Sequence, residues 1–193
     1  MYELTVVIPT YNRKEDITNT LKSLEKQTCQ DFKVYITDNN SDFDINSILE
    51  EVNPDFAKRI NIEKNRVNFG ADYNIQKAVL SCDTKWGWLL SDDDIISEDS
   101  IRVIINDIRK HPDAAWIHYS VYKFDDNNKT RLFRNLNSFA KFLNGVNQVW
   151  EIVTGDLIFS SNKVFNYDIM NKYLPLYIQY GGGDTYVYVC CIG

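Results

Sequence analysis

Three consecutive carboxylates, Asp92, Asp93 and Asp94, follow the apolar run Trp86-Gly87-Trp88-Leu89-Leu90 with only Ser91 between. Adjacent carboxylates repel, and at an effective dielectric of about 20 each close pair costs on the order of a few kcal/mol unless a cation or solvent screens it. A divalent metal supplies that screening. Oxygen ligands without histidine or cysteine suit Mg2+ or Mn2+, ions that keep several waters and complete their shell with substrate phosphates. The triplet therefore points to a phosphate-bearing ligand. Read alone, it is equally what a solvated turn looks like, ahead of a helix opened by Ser97-Glu98-Asp99-Ser100. The elements around it decide between the two.

Residues 4–8 form a β-branched run that stops at Pro9, and Ile17, Leu21 and Leu24 then recur at helical spacing through 14–27. Asn12 is placed to cap that helix. A second strand, Phe32-Lys33-Val34-Tyr35-Ile36, ends in Thr37-Asp38-Asn39-Asn40-Ser41. A helix over 45–52 carries Ile45, Ile48, Leu49 and Val52 on one face, and a short strand follows at 59–62. After the turn 65–70, a helix over 71–81 leads to the strand at 86–90. Repeated βα units predict an α/β fold with a mainly parallel sheet, flanked by helices on both faces. Ligands of such sheets bind outside the carboxyl ends of the strands. Three polar clusters fall at those ends: Thr10-Tyr11-Asn12, Asp38-Asn39-Asn40 and Asp92-Asp93-Asp94. Farther on, Ile101, Ile104, Ile105 and Ile108 mark an amphipathic helix ended by His111-Pro112. A long strand is expected over 114–124, a loop at 125–130, a helix at 138–144, a strand around 157–160 and a helix near 163–173.

A chain of 193 residues, 44% hydrophobic and 25% charged, fits one globular domain with a substantial core. No internal repeat or linker divides it. The net charge of −6 argues against a nucleic-acid or anionic-membrane surface, so a nucleotide bound here is a small molecule. Cys29, Cys82, Cys190 and Cys191 show no CxxC spacing and read as reduced, mostly buried thiols. The start lacks a basic n-region and no transmembrane run is visible, which predicts a cytoplasmic domain, with room for peripheral association at the inner face of the membrane. The apolar end 186–193 carries no stop signal and reads as a truncation.

Taken together, Val6-Val7-Ile8-Pro9-Thr10-Tyr11-Asn12-Arg13, the strand ending at Asp38 and the acidic loop resemble family 2 glycosyltransferases of the GT-A fold. The match is ordered and covers roughly residues 4–120, and several motifs in the right order are far more specific than any one. Thr37-Asp38-Asn39-Asn40-Ser41, Asn68-Phe69-Gly70-Ala71-Asp72-Tyr73-Asn74 and Trp88-Leu89-Leu90-Ser91-Asp92-Asp93-Asp94 are similar to bacterial surface-polysaccharide transferases, including abequosyltransferases.

The resemblance implies an inverting transfer of a sugar from a nucleotide-diphosphate sugar to the hydroxyl of a saccharide or lipid-linked saccharide. Residues 1–120 would form the nucleotide-sugar half and 121–193 the acceptor side. Pro9, Thr10 and Tyr11 would line the nucleotide pocket, Tyr11 against base or ribose, and Asp38 and Asn39 would bond the base. Many members carry two acids where this chain has Asp38-Asn39, which leaves uracil, thymine and cytosine open. The triplet matches the DxD region: Asp92 falls toward the ribose, and Asp93 or Asp94 ligates Mn2+ or Mg2+. Lys64 or Arg66 would assist the diphosphate. The base for the acceptor hydroxyl would be Asp184, after Gly181-Gly182-Gly183, where Gly183 replaces the usual first acid. Asp184 also fits a helix N-cap. Two other readings fit less well: a nucleotidyltransferase is expected to carry a glycine-rich basic loop after its first strand, which Pro9-Thr10-Tyr11-Asn12 is not, and a signalling receiver domain places its acidic pair there, an order this chain reverses. The alternatives kept are a non-catalytic or truncated transferase-like domain that binds nucleotide-sugar or a partner, or a nucleotidyltransferase.

Overall fold

Every residue of β1 (Leu4–Thr10) except Pro9 is buried, as a strand covered on both faces requires. The computed structural model describes residues 2–119, 122–124, 130–132 and 160–173. After β1 come α1 (Lys14–Glu25), β2 (Phe32–Asp38), a 3-10 helix (Ile45–Glu51), the single turn α2 (Pro54–Ala57), β3 (Ile60–Lys64), α3 (Ala71–Leu80), β4 (Trp86–Leu89) and α4 (Ser100–Lys110). The strands β5 (Trp116–His118), β6 (Tyr122–Phe124), β7 (Thr130–Leu132) and β8 (Lys163–Asn166) follow, then a helical turn, Tyr167–Met170. One sheet has the order β3-β2-β1-β4-β8-β5, and β6 pairs with β7 apart from it. Strands β3, β2, β1 and β4 are mutually parallel, whereas β8 runs against both β4 and β5. No helix among the described residues is long and apolar enough to cross a membrane.

Alternation along the strands feeds two cores. Leu4, Val6 and Ile8 cluster with Ile17, Leu21 and Leu24 of α1 and with Ile101, Ile104, Ile105 and Ile108 of α4. Val7 and Leu89 cluster with Ala78 and Val79 of α3 and with Phe165 of β8. Each such aliphatic side chain contributes about 1.5–3 kcal/mol on burial. The expected α/β arrangement, with helices on both faces of the sheet, is borne out. Gly87 of β4 pairs with Phe165 of the antiparallel β8: a Cβ there would stand 2.2 Å from Phe165 Cζ, so the strand takes glycine between its two tryptophans.

Four local expectations differ. Asn12 does not cap α1; it adopts φ 55°, a left-handed conformation asparagine tolerates, and its carboxamide exchanges bonds with Asp42, leaving Arg13 at the N-cap without a side-chain cap bond. The helix over 45–52 is a 3-10 helix, started by Asp44, whose carboxylate accepts the Asn46 N–H. The strand expected over 114–124 is divided between β5 and β6, which lie in different sheets. The ladder of β5 closes where the Tyr119 N–H donates to Asn162 O at 2.7 Å. The helix expected near 163–173 begins only at Tyr167, because Lys163, Val164, Phe165 and Asn166 are all buried as β8. Val164 and Phe165 are fully enclosed, and β-branched and aromatic neighbours suit a strand closed on both faces. The helix expected at 138–144, residues 157–159 of the strand expected around 157–160, and residues 174–193 with Asp184, Cys190 and Cys191 lie outside the described residues, while Ser160 opens a 3-10 turn, Ser160–Asn162.

Candidate active site

The chain lays down β1, β2 and β3 in one direction, then returns past β1 to place β4 on its other side. Open α/β sheets bind ligands at such a reversal, outside the carboxyl ends of the strands. Here those ends carry Thr10, Asp38 and the acidic triplet. The hydroxyl of Thr10 donates to Asp92 Oδ2 at 2.7 Å and so joins the tips of β1 and β4 across the crevice.

The acidic turn is held from three sides. Thr20, on the buried face of α1, directs its hydroxyl at the carbonyl oxygens of Asp92 and Asp94, both at 2.9 Å. The Ser161 hydroxyl accepts the Ser91 N–H at 2.8 Å, and the Ser161 carbonyl accepts from Trp88 Nε1. Arg13 Nη1 donates to Asp92 Oδ1 at 3.1 Å and to Asp93 Oδ2 at 2.7 Å. Asp93 Oδ1 accepts from the Ser91 hydroxyl at 2.5 Å. Asp92 is nearly enclosed, whereas Asp93 is half exposed, with 48% of its side-chain surface open.

Burial raises the Asp92 pKa above the ordinary carboxylate value, and the Thr10 hydroxyl and the Arg13 charge work against that rise. Asp94 is also raised by burial, with the Ser161 side chain opposing. Arg13 is raised in turn, chiefly by the charge of Asp92.

At the tip of β2, Asp38 is fully buried. Its Oδ1 accepts the N–H and hydroxyl of Ser41, an Asx-type turn, while Oδ2 makes no hydrogen bond and lies 3.8 Å from Lys64 Nζ. A buried carboxylate oxygen without a donor carries a desolvation cost that a ligand N–H would remove. Lys64 itself donates to the carbonyl oxygens of Ser41 and Phe43, fastening the turn. Asn39, expected at the base, is engaged internally. Its Nδ2 donates to Asn68 Oδ1 and Gly70 O, and its Oδ1 accepts from Asn65 Nδ2 and the Phe69 N–H. Asn74 reaches the carbonyls of Thr10 and Thr37 and thereby docks the start of α3 on the strand tips. An aspartate at 39 would lack both donors, which gives this chain a structural reason for its asparagine.

Pro9 is half-buried opposite Thr37, and Tyr11 is exposed between the loops after β1 and β2, which Asn12 and Ser41 tie together. Arg66 lies exposed in the loop after β3. The structure thus brings Pro9, Thr10, Tyr11, Asp38, Asn39 and the triplet to one end of the sheet. No local pattern marks Thr20 or Ser161, whose partners are about 70 residues away in the chain, or Asn65, which bonds across the fold to Asn39. Arg13 carried a faint one, its position directly after the β1 loop.

The chemistry of the tip's donor set suits a hard divalent cation. Its donors are hard carboxylate oxygens, and a positive group, the Arg13 guanidinium, is already seated between Asp92 and Asp93. Among the described residues, no three His, Cys, Asp or Glu side chains converge into a complete cage. Waters and phosphate oxygens would have to finish the shell, as Mg2+ commonly arranges.

Comparison with known proteins places this geometry in context. The family model described as Glycosyl transferase family 2 matches residues 5–174. An abequosyltransferase of Salmonella typhimurium is 28% identical over 103 residues, 52% of this chain and 31% of that protein. The crystal structure of Staphylococcus aureus TarS 1-349 in complex with UDP superposes with a TM-score of 0.75 at 17% identity, covering 99% of this chain and 55% of that one. A Pyrobaculum calidifontis mannosyltransferase in complex with GDP-Man and Mn2+ gives a TM-score of 0.61 at 14% identity, covering 88% and 46%. These likenesses bear out the GT-A fold. The chain spans 14–38% of the length of the curated relatives it matches, about half of the TarS 1-349 chain and 29% of the longer TarS chain.

Proposed function

This chain belongs to glycosyl transferase family 2, and from that premise we propose that it binds a nucleotide-diphosphate sugar and takes part in inverting transfer of the sugar to a hydroxyl acceptor. The observation that carries the reading is the pair Asp92 and Asp93, set at the reversal of strand order and already holding a positive group. Bacterial cell-surface polysaccharide synthesis is the proposed setting, supported by the likeness to the abequosyltransferase. The acceptor would be a saccharide or a lipid-linked saccharide, met in the cytoplasm at the inner face of the membrane.

In this mechanism Asp38, whose Oδ2 is buried without a hydrogen-bond donor, would accept an N–H of the base as the nucleotide enters, and Tyr11 and Pro9 would wall the base and ribose. Asn39 sets the shape of that wall through its internal bonds. Asp92, fixed by Thr10, faces the ribose side, and Asp93 and Asp94 would hold the metal. Bound there, Mn2+ or Mg2+ supplies Lewis-acid neutralisation of the charge that grows on the departing diphosphate. Arg66 approaches the phosphates from the loop after β3. The acceptor oxygen attacks the anomeric carbon opposite the diphosphate, the bond from that carbon to the phosphate oxygen breaks with its electron pair, and the acceptor proton passes to a carboxylate. Asp184 is assigned that last role from its sequence motif, with residues 121–193 as the acceptor side.

A thermal-shift panel of UDP, dTDP, CDP and GDP, each with and without Mn2+, tests the reading. A ligand that binds only the folded state raises its stability, by about 2.7 kcal/mol at a hundred times Kd. One nucleotide should raise Tm in a manganese-dependent way, and Asp93→Ala should abolish that rise. No manganese-dependent shift with any of the four would remove the reading.

A further inference from the structure

We propose that Arg13 is a built-in counter-ion of the acidic tip, which keeps a divalent cation off Asp93 until a diphosphate arrives and thereby makes metal and diphosphate bind cooperatively. The inference rests on the metal and diphosphate reading given above. One nitrogen, Arg13 Nη1, bridges Asp92 Oδ1 at 3.1 Å and Asp93 Oδ2 at 2.7 Å. The guanidinium keeps its charge at every working pH, so this cation is always present. A divalent ion that ligates Asp93 has to displace it, because two positive centres on the same carboxylate oxygen repel strongly at that range.

The displaced guanidinium then needs another anion. Arg13 is half exposed and follows Asn12, the left-handed residue that ends the β1 loop, so its side chain is at the mouth of the crevice. A planar guanidinium is well matched to phosphate oxygens, which it can hold in pairs. A diphosphate entering beside the metal supplies the partner that Asp93 gives up. Metal alone leaves the arginine only its longer contact to Asp92 Oδ1, diphosphate alone finds it occupied, and the two together give it a second anion in place of Asp93. The tip survives the exchange because other contacts hold it: Thr10 keeps Asp92 Oδ2, Thr20 keeps the carbonyls of Asp92 and Asp94, and Ser161 keeps the Ser91 N–H.

The test is Mn2+ binding, read from the electron paramagnetic resonance signal of free Mn2+, for wild type, Arg13→Gln and Arg13→Lys, alone and with each of UDP, dTDP, CDP and GDP. Wild type should bind Mn2+ alone weakly and about tenfold or more tightly with one nucleotide, an ordinary size for coupling between sites. Arg13→Gln should bind Mn2+ alone about tenfold more tightly than wild type and lose most of the nucleotide enhancement, on the same coupling scale. Arg13→Lys, which keeps the charge, should stay close to wild type for Mn2+ alone. Equal affinities in wild type and Arg13→Gln, with the enhancement intact, would overturn the role of Arg13 and leave the metal site standing. Equal gains in the Gln and Lys variants would overturn the counter-ion argument, since charge would not be the cause. Absence of Mn2+ binding in all three proteins, with or without nucleotide, would overturn the metal reading together with this one.

Discussion

Near neutral pH the Asp94 carboxyl is under two opposed influences: burial disfavours its charge, and the Ser161 hydroxyl stabilises it. Burial dominates, so the folded protein holds this proton more tightly than the unfolded chain does. Stability linked to Asp94 therefore falls as pH rises from the ordinary carboxylate value of 3.8 through the raised folded value, and the loss is complete above it. Asp94→Asn keeps an oxygen for Ser161 and removes the charge. Its Tm should exceed that of wild type at pH 7, with the difference shrinking toward zero well below pH 4, measured by thermal melts across pH. A variant that melts lower at pH 7 would show that the charge is satisfied in the free protein. A carboxyl whose burial disfavours its charge is one that a bound cation would relieve, and such perturbed groups cluster at functional sites.

The element that sets the acidic turn is α1, which reaches it through Thr20. Thr20→Val preserves shape and leaves the carbonyls of Asp92 and Asp94 without that donor. A buried acceptor left unpaired costs about 1–3 kcal/mol, which urea unfolding should detect, and binding of the manganese-nucleotide pair should weaken with it. Unchanged stability and unchanged binding would remove Thr20 from the positioning of the tip. Helix α1 itself was legible, because Ile17, Leu21 and Leu24 repeat at helical spacing; β1 and β4 were legible as apolar runs, the signature of strands buried on both faces, and β2 as an alternation of Phe32, Val34 and Ile36 with Lys33 and Tyr35. The β8 strand was not. It is four residues long, joins the sheet antiparallel, and runs directly into a helical turn, so no period has room to declare itself. The long-range bonds were hidden for a different reason: Arg13 and Asp93 are 80 residues apart, and only the register of β1 against β4 brings them together.

At the scale of the whole molecule, the chain carries a net charge of −6 and is proposed to bind a ligand that is itself anionic. A diphosphate approaching three carboxylates is repelled unless positive charge intervenes, and topology decides where that charge must sit. The order β3-β2-β1-β4 places Asp38 and the triplet on opposite sides of β1, so the base and the diphosphate of one nucleotide can be held at the two ends of a single crevice. That division of labour was visible in the three polar clusters at strand ends. The closure of the crevice by internal amides, and the engagement of Asn39 in it, depended on packing of α3 that no local pattern announces. The most direct measurement is a crystal structure of the protein with Mn2+ and the nucleotide selected by thermal shift, with anomalous diffraction recorded at the manganese edge. The anomalous peak is expected against Asp93 or Asp94, bridging to the diphosphate, with the base against Asp38. A nucleotide bound elsewhere, or a triplet facing solvent with no manganese peak, would contradict the central claim.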